Sequence, residues 1–127
     1  SVNELIDNCL AKNKKRISAI LNENNFSNED CILILRTMLI KSKRILKIKK
    51  ELDNINSLDS IISSFKPPIF WKDKEIVKIQ VMNWDKAEIE SLIYEINDIE
   101  YIIKANAVNT LNIVSDFIIN TSNKINN

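Results

Sequence analysis

The side chains that most often carry chemistry are largely missing from this chain, and the gaps decide more than what remains. There is no His and no Gly. Without His, neither a Ser-His-Asp nor a Cys-His arrangement can form, and the commonest metal ligand is absent. Without Gly, the phosphate loop, the dinucleotide fingerprint and the nucleophile elbow are excluded, because each needs positive φ or close backbone approach. The nearest acid pairs, Glu88/Glu90 and Glu95/Asp98, do not set two carboxylates around a pocket with a polar companion. Ser and Thr hydroxyls with no activating base act as caps and surface groups. Cys9 and Cys31 have no CxxC spacing and no metal-type partners. They read as buried free thiols in a reducing cytosol, with a disulfide as the alternative. No catalytic, metal-binding or cofactor-binding residue is assigned, no cofactor is expected, and the chain is expected to have no activity of its own.

Recognition chemistry is what the remaining residues offer. Arg36, Lys41, Lys43, Arg44, Lys47, Lys49 and Lys50 lie in one segment against the single acid Glu51. At about 100° per residue, Arg36, Lys43, Lys47 and Lys50 fall within roughly 60° of one another on a helix. A later segment is the opposite, with Asp85, Glu88, Glu90, Glu95, Asp98 and Glu100 against Lys86 alone. Such faces can be solvated, can steer a protein partner, or, for the basic one, can follow a nucleic-acid backbone. The candidate partner-facing residues are Arg36, Lys43, Arg44, Lys47, Lys50, Glu88 and Glu95. Balanced charge (18 basic, 17 acidic) and no aromatics among the cations weigh against nucleic acid. The stretch Pro67-Pro68-Ile69-Phe70-Trp71 is either a rigid corner that plugs Phe70 and Trp71 into the core or a contact site for another subunit.

The elements that must position these residues are helical throughout. In 127 residues there are 24 Ile and 18 Asn, a bias that removes Ile as a strand signal and leaves periodicity to decide. Val2, Leu5, Ile6, Cys9 and Leu10 recur at helical spacing behind a Ser1/Glu4 capping box. Ile17, Ile20 and Leu21 mark a second helix, with Asn13 and Asn24-Asn25 where Gly usually closes one. Ser27 caps a long third helix reaching about Leu52, whose opening Cys31 to Leu35 is apolar all round and is expected to be buried on every side. Ser57 caps a short fourth helix. A fifth is expected from about Ile69 to Met82. Asp85 and Glu88 form a capping box for a sixth, with Trp84 stapled against Ile89. A seventh runs from about Ala107 to Asn120, and 121–127 reads as a frayed tail. The result is an all-α bundle of about seven helices in one domain, with no β-sheet. No apolar run approaches about 18 residues and no signal-peptide pattern opens the chain, so a cytoplasmic protein is expected. Its start at Ser1 rather than Met suggests a fragment.

In order and chemistry these segments resemble one family. Asn28-Glu29-Asp30-Cys31-Ile32-Leu33-Ile34-Leu35-Arg36-Thr37-Met38 is similar to a helix of the DNA polymerase III delta subunit, the clamp-loader protein. Lys66-Pro67-Pro68-Ile69-Phe70-Trp71-Lys72 resembles an Arg-Pro-Pro-Val-Phe-Phe-Lys pattern of bacterial delta subunits. The Trp84 helix start and Glu100 to Lys104 resemble its penultimate helix. The resemblance covers the whole chain but only the C-terminal helical collar domain of the family. It implies an assembly module in a pentameric loader, packing with gamma/tau and delta-prime subunits, without ATP binding. The sliding clamp and DNA would be reached through AAA+-like domains absent from this chain, and polymerase activity would belong to the holoenzyme alone. A free-standing nucleic-acid-binding bundle using the basic third helix is the alternative.

Overall fold

The computed structural model describes residues 1–125. These form seven α-helices and no strand: α1 (Val2–Leu10), α2 (Lys14–Glu23), α3 (Cys31–Glu51), α4 (Leu58–Ser64), α5 (Lys74–Asn83), α6 (Lys86–Ala105) and α7 (Thr110–Ser122). Short 3-10 turns, Asn28–Asp30 and Trp71–Asp73, lead into α3 and α5. At 21 residues α3 is about 31 Å long and runs through the molecule, touching α1, α4, α5, α6 and α7. Its largest contact is with α6, which lies antiparallel to it. Arg36 near the start of α3 pairs with Glu100 late in α6 at 3.5 Å, and Asp53 just past α3 pairs with Lys86 at the start of α6.

Helix starts follow their local chemistry. The backbone N–H of Glu88 donates to Asp85 Oδ1 at 2.7 Å, and the Asp85 N–H donates to Glu88 Oε1 at 3.2 Å, closing the capping box of α6. Trp84 and Ile89 are both buried in the same core, as the staple requires. The Ser57 hydroxyl oxygen accepts from the Ser60 N–H at 3.2 Å and starts α4. At α1 only half the expected box forms. Ser1 Oγ accepts from the Glu4 N–H at 3.3 Å, while the Glu4 carboxylate turns to Arg16 instead.

Several expected boundaries move. The left-handed residue after α1 is Lys12 (φ 58°), not Asn13, which caps α2 by accepting from the Arg16 N–H. Asn24 is extended, and Asn109 (φ 60°) takes the left-handed position before α7. Pro67 and Pro68 do not open a helix; α5 begins at Lys74, past the second 3-10 turn. The tail expected to fray from Thr121 does not do so at Thr121 and Ser122. Both are helical and buried, with hydroxyls donating to the Phe117 and Ile119 carbonyls at 2.8 Å each. Polar side chains that bond back to their own helix can be buried without an outside partner. Residues 126 and 127 of that tail lie outside the described residues.

Two apolar cores result. The larger joins α1, α2, α3, α6 and α7 around Leu5, Leu10, Ile20, Leu35, Trp84 and Ile96. The smaller packs Ile48 of α3 against Ile61, Ile62, Phe65, Ile69, Val77 and Val81 from α4, α5 and the loop between them. The opening of α3 is not buried on every side as expected: Cys31, Ile34 and Leu35 are enclosed, but Leu33 is 56% exposed. Cys9 and Cys31 are buried free thiols. Among the described residues no helix is long and apolar enough to cross a membrane.

Candidate functional site

The exposed face of α3 carries the basic residues singled out in the sequence. Leu33, Arg36, Ile40, Lys43, Lys47 and Lys50 are all exposed, and their spacing of 3, 4, 3, 4, 3 makes them one stripe. The sequence-predicted residues Arg36, Lys43, Lys47 and Lys50 are thus brought together. The stripe also holds two large apolar side chains missed by the charge count, Leu33 and Ile40, the latter 69% exposed. The 3-4-3-4-3 spacing was the signal that could have found them.

Arg44 does not belong to this exposed set. It lies about 100° round the helix from Lys43 and is only partly exposed. Its Nε and Nη2 are enclosed and have no hydrogen-bond partner among the described residues. Burial holds the guanidinium below the usual arginine value, and the nearby Asp7 and Asp73 carboxylates act against that shift. Next to it lies a polar seam between α1, α3 and α5. Lys41 Nζ donates to Asp7 Oδ1 at 2.7 Å, and Gln80 Nε2 donates to the same oxygen at 3.3 Å and to the Asp7 carbonyl at 3.0 Å.

The proline corner lies alongside. The Lys66–Pro67 peptide is cis. The corner does not plug Phe70 and Trp71 into the core: they are 56% and 68% exposed, with ring centroids 5.9 Å apart. Phe65 and Ile69 are the buried plugs instead. Ile40, Lys43, Arg44 and Lys47 of α3 and Phe65, Lys66, Pro67 and Pro68 of the corner enclose a groove of about 300 Å³. Lys47 Nζ lies 5.0 Å from the Phe65 ring centroid.

The acidic candidates are placed differently. Glu88 is committed to its capping box, and Glu95 pairs with Lys124 at 3.0 Å. Neither joins the α3 face. The outer side of α6 instead presents exposed Glu90, Tyr94 and Tyr101, which lie within roughly 40° of one another. The Cys9 thiol is pushed up to about 12 by burial, opposed weakly by Lys124. Among the described residues no cluster of His, Cys, Asp or Glu is arranged to hold a metal ion. Compared with known proteins, the chain matches no family model, no curated protein and no solved structure.

Proposed function

We propose that this chain is an assembly module, a helical domain that holds its parent protein in an oligomer through the outer face of α3. The observation that carries the reading is the makeup of that face. Leu33 and Ile40 are large apolar side chains in water, interleaved with Arg36, Lys43 and Lys47 and flanked by the Pro67–Pro68 corner. Apolar anchors with an arginine and a polar rim are the composition of protein interfaces. A nucleic-acid groove would instead interleave exposed aromatics with its cations, whereas the exposed Phe70 and Trp71 lie past the corner and do not line the groove.

The sequence resemblance gives the module a specific setting: the collar of a clamp-loader delta subunit, with gamma/tau and delta-prime subunits as partners. In that setting the chain contributes no catalysis and acts in replication through the complex it closes. The test is co-elution of the chain with those subunits on size exclusion. The expected result is a complex that Leu33→Asp and Ile40→Asp each weaken while helicity is unchanged. Failure to co-elute, or co-elution indifferent to both substitutions, overturns the proposal.

A further inference from the structure

We propose that the groove between α3 and the Lys66–Pro68 corner binds an acidic segment of a partner protein, carboxylates on its cations and an apolar side chain on its floor. The inference rests on the assembly reading and names the chemistry of the partner at that face. Charge in the groove is one-sided. Lys43, Arg44, Lys47 and Lys66 line it, and among the described residues no carboxylate does. Among the described residues, neither Lys43, Arg44 nor Lys66 takes part in an ion pair.

Arg44 supplies the second observation. Nε and Nη2 are neighbouring donors on one edge of the guanidinium, the edge that grips a carboxylate through two parallel bonds. Here both are enclosed and unpartnered. An enclosed donor without an acceptor is destabilising, so turning that edge toward a carboxylate in the groove is favourable. Neither internal carboxylate that acts on Arg44, Asp7 or Asp73, accepts a hydrogen bond from those two donors.

The floor supplies the third. Ile40, Phe65, Pro67 and Pro68 give an apolar surface inside the ring of cations. At about 300 Å³ the groove is at the small end of ligand sites, room for a side chain or two. It offers no open aromatic face to a base, since Phe65 is buried and Lys47 lies over its ring. An acidic peptide with an apolar anchor fits where a nucleic-acid strand does not.

The test titrates the full chain into a fluorescein-labelled peptide of alternating glutamate and leucine at about 50 mM salt, where screening is weak. Saturable anisotropy is expected, together with movement of the Arg44 Nε–H signal in a ¹⁵N spectrum. Lys43→Gln with Lys66→Gln should weaken binding by about fivefold or more, and the fold should survive because both lysines are exposed. A glutamine-for-glutamate peptide should not bind. Absent binding, binding equal in the double variant, or a thymidine oligonucleotide that binds more tightly than the peptide would each overturn the proposal. Peptide binding without co-elution of loader subunits defeats the assembly reading and leaves the groove assignment standing. Co-elution unaffected by the double variant, in a chain that does not bind peptide, defeats the groove alone.

Discussion

Removing Asp7 should destabilise the fold more than any exposed ion pair can explain, and the size of the loss is readable from its surroundings. Asp7 and Lys41 side chains are only 12% and 13% exposed, and their 2.7 Å contact is supplemented by Gln80. Breaking a buried pair by deleting one partner costs about 3–5 kcal/mol, because the other charge stays enclosed. The remaining exposure lets water reach the pair, which brings the expected loss for Asp7→Ala to about 2–4 kcal/mol. Lys41→Met keeps the aliphatic stem and leaves Asp7 to Gln80, so its loss should be smaller, about 1–3 kcal/mol. With both changes no charge is stranded, so the double variant should lose less than the two singles combined by about 1.5 kcal/mol. Urea titration followed by far-UV ellipticity measures all four corners of the cycle, with equal slopes as the check on two-state behaviour. Additivity within about 0.5 kcal/mol would mean the charges do not feel each other, and the buried-seam argument would fail.

Leu35→Ala should cost about 2–5 kcal/mol and Leu33→Ala less than about 1 kcal/mol, although the two residues belong to one apolar run; equal losses in urea would refute the assigned faces. Lys12 holds φ 58° while its Nζ donates to the Asn83 carbonyl at 2.7 Å, so both Lys12→Gly and Lys12→Ala lose that bond. Only Gly is also relieved of the left-handed cost, and the Gly variant should be more stable than the Ala variant by about 1 kcal/mol in the same titration. Cys9 has its thiol raised to about 12 in the fold against 9.0 ordinarily, so the unfolded chain releases that proton first. Its stabilising share is complete below pH 9 and is lost as pH climbs toward 12; Cys9→Ala should flatten the alkaline decline in stability, and an identical decline would refute the assignment.

The helical architecture was legible because periodicity and caps agreed. The Asp85/Glu88 box, the Trp84–Ile89 staple and the Ser57 cap all formed as their spacing required. What escaped has physical reasons. A run that is apolar all round carries no information about which side meets solvent, so Leu33 read like Leu35. Lys12 has no side-chain preference for left-handed backbone; it takes the position after the Ala11 cap, where its N–H donates to the Cys9 carbonyl and the Asn13 N–H to the Asn8 carbonyl, and its side chain reaches Asn83 and the Trp84 ring. Thr121 and Ser122 read as tail because their polarity is visible in sequence and their bonds to Phe117 and Ile119 carbonyls are not. At the candidate site, charge spacing found Arg36, Lys43, Lys47 and Lys50. It took Arg44 as one more surface cation, and the proline stretch left Phe70 and Trp71 open between core plug and contact site; they are exposed, and Phe65 and Ile69 are the buried pair.

Among the described residues, α3 is the only helix that contributes to both apolar cores. Between α1 and α5 the two are joined by polar contacts, Gln80 to Asp7, rather than by a shared apolar layer. Hydrocarbon burial couples groups cooperatively, whereas a hydrogen-bonded seam can exchange its partners for water. Amide exchange in α4 and α5 should therefore precede exchange in α1, α2, α6 and α7. The groove lies across the junction of α3 with the smaller core, with one wall on α3 and the other on the Phe65–Pro68 corner. An occupant that bridges the walls would tie the smaller unit down, so filling the groove should raise the amide-exchange protection of α4 and α5 together.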